Sequence, residues 1–221
     1  MKDLNKTTEL VFILDKSGSM AGLESDTIGG FNSLIAEQKR DLKDNEKVYV
    51  STVLFNHESK VIHDRVDLEK IGKMTERDYV VGGSTALIDA LGDAIRHIRN
   101  IHKYIRKEDV PSRTIFVITT DGQENSSRRY SSDDVKKLIG AQKRNGWEFI
   151  FLGANIDSVE TAKRYGISED TAVNYKADSQ GTHILYEAVS RCVSHARKSA
   201  PGLAMGSSWR ESIDEDYKKR K

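Results

Sequence analysis

The chain has 221 residues, of which 37% are hydrophobic and 31% are charged, and this composition suits one globular domain with its own core. Lys and Arg number 35 against 34 Asp and Glu, so the charge balance indicates neither nucleic acid nor a membrane as a partner. No stretch resembles a signal peptide or a membrane span, and the single cysteine, Cys192, excludes an internal disulfide and a cysteine-based zinc site. We therefore expect a cytoplasmic protein.

Short apolar runs alternate with longer stretches of helical period, a pattern that predicts parallel strands joined by crossover helices. The runs that predict strands are residues 10–14, 48–55, 114–119 and 149–152. Residues 59–66 follow the second run after only three residues, which is too short for a helical crossover. This segment should pair antiparallel with residues 48–55, as an edge strand in a hairpin.

Four segments show apolar residues at helical spacing, namely residues 28–35, 87–101, 135–139 and 184–196. Ser131 or Ser132 can cap the third of these helices, Gly146 should end it, and Cys192 lies on the apolar face of the fourth. The predicted fold is α/β: a three-layer, doubly wound α/β/α domain whose mostly parallel central sheet has one antiparallel edge strand. We expect this domain to cover residues 1–200 and residues 201–221, which lack a sustained period, to form a flexible C-terminal tail.

Oxygen-bearing side chains follow two of the apolar strands and precede one helix, at positions where a ligand crevice is expected. In a doubly wound sheet this crevice lies outside the carboxyl ends of the strands. Asp15, Ser17 and Ser19 leave the first strand there, and Asp121 leaves the strand at 114–119. Thr85 stands just before the long helix at 87–101, so oxygens from three loops can converge.

A cluster of carboxylate and hydroxyl oxygens without cysteine or histidine suits a hard divalent cation. Mg²⁺ or Mn²⁺ is the expected ion, Ca²⁺ is a further candidate, and zinc is disfavoured. The competing interpretation is that Asp15 and the two serines only cap the next helix.

The whole pattern resembles the von Willebrand factor A domain, including the integrin inserted domain, and its metal-ion-dependent adhesion site. The family's Asp-x-Ser-x-Ser stands here as residues 15–19, its threonine as Thr85 within Gly-Gly-Ser-Thr, and its later aspartate as Asp121 within Thr-Asp-Gly. All five positions are intact, and the order of predicted elements fits over about residues 7–198. The resemblance implies that Ser17 and Ser19 ligate the metal directly, that Thr85 can do so, and that the two aspartates bind largely through water.

The resemblance also implies a function, which is the capture of an Asp or Glu carboxylate of a partner protein through the bound cation. Neutral hydroxyl ligands leave much of the cation's charge unquenched, and a partner carboxylate can fill an open coordination position. We therefore expect a protein-interaction module rather than an enzyme, and an intracellular, bacterial-type member of the family that works within a larger assembly.

Two enzyme classes are alternatives. A Mg²⁺-dependent phosphotransferase or phosphatase of the haloacid dehalogenase type also begins with an aspartate after an apolar strand, but it usually needs a second acid where Ser17 stands. Asp133 and Asp134 could imitate the later acidic pair of such enzymes, although the first turn of a helix also favours acids. A serine hydrolase is less compatible, because the Gly-x-Ser-x-Gly elbow is missing.

A few further residues can be assigned either a functional or a structural role. Asn155, Asp157, Glu124 and Asn125 should lie on the same rim as the metal cluster, where they either shape partner choice or form turns and helix caps. His97 and His102 fall off the apolar stripe of their helix, so we expect both to be solvated.

Overall fold

A computed structural model describes residues 6–199 and 206–220, and within these residues the chain forms a six-stranded sheet. The strands are β1 (Thr7–Asp15), β2 (Lys47–Phe55), β3 (Ser59–Asp67), β4 (Arg113–Thr120), β5 (Trp147–Gly153) and β6 (Ala172–Asn174). Their order across the sheet is β3-β2-β1-β4-β5-β6. Strand β3 pairs antiparallel with β2 at one edge, and the other pairs are parallel.

This sheet confirms the predicted fold class. Each predicted apolar run lies inside one of the strands β1, β2, β4 and β5, and the hairpin strand β3 lies at the sheet edge as expected. Strand β6 was not predicted, because three residues are too few to show a period.

Helices cover both faces of the sheet and complete the three layers. They are α1 (Glu24–Arg40), α2 (Leu87–Tyr104), α3 (Ser132–Arg144), α4 (Ser158–Arg164), α5 (Ser179–Lys198) and α6 (Glu211–Lys219). One core cluster joins α1 and α5 to Leu10, Phe12 and Leu14 of β1, and Cys192 lies in it as expected. The other joins α2, α3 and α4 to Val11 and Ile13 of the same strand. Both faces of β1 are therefore buried, as expected of a central parallel strand.

The local signals at the ends of α3 act as predicted. The Ser131 hydroxyl accepts the Asp134 backbone N–H, and the Asp134 carboxylate accepts the Ser131 N–H, which together form a capping box. Gly146 has φ of +82°, a conformation that glycine adopts without steric cost, and strand β5 begins one residue later. The acidic residues at 133 and 134 thus start a helix.

The C-terminal residues that the structure describes differ from the predicted flexible tail. Residues 206–220 form a helical turn followed by α6, and Ile213 of α6 is buried in the core cluster of α1 and α5. The sequence pattern concealed this helix because a single buried residue produces no visible apolar stripe. Residues 201–205 and 221 of the predicted tail lie outside the described residues. None of the described helices is both long and apolar enough to cross a membrane.

Candidate metal centre

The predicted metal-binding residues come together at the carboxyl ends of β1 and β4, which are neighbours in the sheet. Asp15 is the last residue of β1, and Asp121 directly follows Thr120, the last residue of β4. Residues 82–85 approach from the side of β2, so three separate segments meet at one edge of the sheet.

Asp15 is almost fully buried and is held by two hydrogen bonds. Its Oδ1 accepts the Ser17 backbone N–H at 2.7 Å, and its Oδ2 accepts the Thr120 hydroxyl at 2.7 Å. The Tyr79 hydroxyl donates to the Asp15 carbonyl oxygen. Helix α1 begins after Leu23, which makes no side-chain cap, so Asp15 orients its own loop rather than capping that helix.

The two serines lead from Asp15 to Asp121. The Ser17 and Ser19 hydroxyl oxygens lie 3.2 Å apart, and the Ser19 hydroxyl donates to Asp121 Oδ1 at 2.5 Å. Ser17 and Asp121 are buried, whereas Ser19 is exposed. The two serine hydroxyls therefore extend from the interior to the surface. A site that binds a partner from solvent needs such an exposed side.

Thr85 is delivered to the same place by a loop that bonds to the segments following β1 and β2, at Lys16, Gly18 and Asn56. Gly82 N–H donates to Lys16 O, Gly18 N–H donates to Gly83 O, and the buried Thr85 follows. Gly83 has φ of +79°, and a side chain there would collide with the His57 ring, so glycine is required for this close approach.

Gly122 marks the point at which the three loops meet. A Cβ added to it would lie 3.2 Å from Ser19 Oγ and 3.6 Å from Thr85 Oγ1. The hydroxyls of Ser19 and Thr85 thus border the backbone that follows Asp121, and all five predicted residues share one site.

The electrostatics of this site favour a cation. Burial raises the pKa of Asp15 above its ordinary value, although hydrogen bonds from Ser17 and Thr120 oppose the shift. Burial also raises the pKa of Asp121, the Ser19 hydroxyl opposes this, and the nearby Asp15 charge raises it further. Two desolvated carboxylates that repel each other are stabilised by a positive ion between them.

The donor set also fits a hard divalent ion. Asp121 Oδ2 is buried and has no hydrogen-bond partner among the residues that the structure describes, although buried carboxylate oxygens are normally satisfied. Nowhere in residues 6–199 and 206–220 do three His, Cys, Asp or Glu side chains group as a metal site, so this centre depends on hydroxyl oxygens. Oxygen-only ligation of this kind suits Mg²⁺ or Mn²⁺ better than zinc.

The other rim candidates have structural roles in the protein. Asn155 has φ of +55° in the turn after β5, and Asp157 caps α4 by accepting the Glu160 N–H at 2.9 Å. Glu124 and Asn125 bind backbone amides at the head of α2. Sequence reasoning noted Gly122 but did not find Thr120 or Tyr79, and the one available signal was the hydroxyl of Thr120 at the end of an apolar strand.

Comparisons with known proteins identify the family and the fold of the chain. The sequence model of the von Willebrand factor type A domain matches residues 9–187. Proximal thread matrix protein 1 from the mussel byssus is 14% identical with a TM-score of 0.56, over 85% of this chain and 46% of that one. The PilB minor pilin from Streptococcus sanguinis is 11% identical with a TM-score of 0.61, over 85% of this chain and 61% of the pilin chain. The vWF domain of the type V pili tip protein Mfa5 from Porphyromonas gingivalis is 9% identical with a TM-score of 0.60, over 87% of this chain and 97% of that domain's chain.

These identities are low, so the solved structures establish a common fold only. The chain spans less than half of the mussel protein, one structure of which carries zinc in its metal-ion-dependent adhesion site. No curated protein matches this chain in sequence. The family match nevertheless covers most of the chain, and its fold has the six-stranded, mostly parallel sheet described above. The chain therefore belongs to the von Willebrand factor type A domain family, whose members are generally protein-interaction modules.

Proposed function

We propose that this chain is a metal-dependent protein-interaction module without enzymatic activity, working in the cytoplasm as part of a larger assembly. Asp15, Ser17, Ser19, Thr85 and Asp121 would hold Mg²⁺ or Mn²⁺. When bound, the cation supplies a positive charge and an open coordination position for an Asp or Glu carboxylate of the partner protein. The observation that carries this proposal is the buried, unpartnered Asp121 Oδ2 beside the Ser17–Ser19 hydroxyl pair.

The residues of the chain have separate tasks in this proposal. Asp15 is fixed from both sides by Ser17 and Thr120, so it holds the first loop in place. Ser17 and Ser19 offer neutral oxygens, which bind a cation without cancelling its charge. That remaining charge is the physical basis for preferring a carboxylate over an amide in the partner.

The first prediction is that Mg²⁺ and Mn²⁺ bind with one site per chain, and that Asp121→Ala abolishes this binding while the fold is retained. The substitution removes both the unpartnered oxygen and the acceptor for Ser19. Isothermal titration calorimetry measures the binding, and circular dichroism checks the fold. Asp157→Ala is the matched control, because it removes a carboxylate from the same rim that only caps α4.

Wild-type-like metal binding by the Asp121 variant would show that the site is misassigned.

Partner dependence is measured next, by affinity purification with Mg²⁺ and with a chelator. A captured partner should lose affinity when one Asp or Glu becomes Asn or Gln, by about 2–5 kcal/mol. That loss is on the order of thirtyfold or more in affinity.

The phosphotransferase alternative predicts Mg²⁺-dependent phosphate release from a phosphomonoester, and such turnover would overturn the non-enzymatic proposal.

A further inference from the structure

Thr85 and Asp121 are carried by two segments that are hydrogen-bonded to each other at several points. We call these the threonine segment (residues 85–93) and the aspartate segment (residues 121–130). Thr85 N–H donates to Asn125 Oδ1 at 2.9 Å, and the amides of Asn125 and Ser126 donate to Thr85 O at 3.0 and 3.2 Å. The backbone of one metal-site residue is therefore fixed directly by the segment that carries another.

Asp89, in the first turn of α2, makes the second connection. Its carboxylate accepts the backbone N–H groups of residues 128, 129 and 130 at 2.9, 2.9 and 3.0 Å. Burial alone would raise the pKa of Asp89, but these amides together with the nearby Arg129 charge outweigh it, and the pKa is lowered. Tyr130 then packs on Gly92, where any side chain would meet its ring. The carboxylate thus gathers the end of the aspartate segment onto α2.

Glu124 makes the third connection, in the opposite direction. Its Oε2 accepts the Ile88 N–H at 2.9 Å, which is an amide of the first turn of α2. The N-cap residue of α2, Ala86, has no side-chain cap, so Glu124 provides this contact from a distant part of the chain. Glu124 Oε1 accepts the amides of Ser126 and Ser127 at 3.0 and 2.8 Å.

We propose that Asp89 and Glu124 are positioning residues of the cation site. They join the threonine and aspartate segments into one unit, so that the two segments undergo local unfolding together. Each carboxylate is occupied by several backbone amides, so it acts through Thr85 and Asp121 rather than as a ligand. The inference rests on the proposed function for its effect on metal. When the two segments are already ordered, less of the free energy of cation binding is lost in ordering them.

The unit can be tested without metal by hydrogen exchange of single amides. Asp89→Ala should speed exchange at Ile88, Asn125 and Ser126, whose amides Asp89 does not bind. Glu124→Ala should likewise speed exchange at residues 129 and 130. Asp89→Asn and Glu124→Gln keep one acceptor oxygen each and should give intermediate rates, which keeps the test valid if an alanine variant fails to fold. The control is Asp134→Ala, which removes a capping carboxylate from α3.

Faster exchange only at the amides that each substituted carboxylate binds would overturn the proposal, because the segments would then move independently. The second measurement is calorimetry with Mg²⁺. Asp89→Ala and Glu124→Ala should each weaken binding by about tenfold, which is typical when groups that orient metal ligands are lost, and Asp134→Ala should not. Unchanged Mg²⁺ affinity in both variants would also overturn it. Failure of the wild type to bind metal would instead refute the proposed function, and correlated exchange would still support a joined unit.

Discussion

At the scale of single residues, the buried Glu9 shows how this fold keeps a charge in its interior. Glu9 is fully buried on β1, and the Arg65 Nε donates to its two carboxylate oxygens at 3.0 and 2.9 Å. Arg65 lies in an irregular part of β3 with φ of +48°, and this turns its side chain toward Glu9 and over the Tyr49 ring. His102 Nε2 lies 3.1 Å from the same carboxylate and its side chain is largely buried, so the prediction that His102 is solvated was wrong. The side chain of His97 is half-exposed, which agrees with the prediction for that residue.

Arg65→Ala should destabilise the protein by about 3–5 kcal/mol, because it leaves a buried carboxylate without its main partner. Urea unfolding measures the change. The matched control is Arg40→Ala, whose exposed pair with Glu37 at 3.7 Å should contribute about 0–1 kcal/mol. Equal effects of the two substitutions would mean that Glu9 is satisfied without Arg65.

At the scale of elements, α6 covers the short edge strand β6. Arg210 donates from Nη1 to the carbonyl oxygens of Glu169 and Ala172, both at 2.6 Å, and pairs with Asp214 at 2.8 Å. Trp209 Nε1 donates to Asp170 O at 3.1 Å. These contacts satisfy carbonyl groups at and just before the outer edge of the sheet, where unpaired backbone groups favour aggregation.

Arg210→Ala should cost about 1–3 kcal/mol, since it leaves backbone carbonyls at the sheet edge without donors. The measurement is again urea unfolding, together with light scattering for association through the edge. Lys219→Ala, at the other end of α6, is the control, because the Lys219–Glu215 pair is exposed and should contribute little. An Arg210 variant as stable and as monomeric as the control would contradict a protective role for α6.

At the scale of the whole molecule, the order of strands explains where the site lies. Strands β1 and β4 are neighbours, yet the chain leaves β1 toward α1 on one face and leaves β4 toward α3 on the other. The connections diverge at this point and open a crevice at the carboxyl ends, which is where doubly wound sheets bind ligands. Asp15 and Asp121 stand at its two sides.

A cation bound only by the folded chain should therefore stabilise the whole molecule. At a Mg²⁺ concentration of about 100 times the dissociation constant, the free energy of unfolding should rise by about 2.7 kcal/mol. Thermal unfolding with Mg²⁺ and with a chelator measures the effect. Asp121→Ala should remove it, and an equal Mg²⁺ effect in that variant would indicate that the ion acts elsewhere.

The sequence by itself determined five of the six strands, four of the helices and the choice of the five residues that are proposed to hold a cation. These features depend on local pattern: apolar runs at strand or helix period, and oxygens directly after strands. The tertiary structure decided the contacts of Asp89, Glu124, Arg65 and Arg210, and it decided that residues 206–220 pack on the domain. Each of these charged side chains binds partners that are far along the chain or belong to the backbone, and such contacts leave no periodic signal in the sequence.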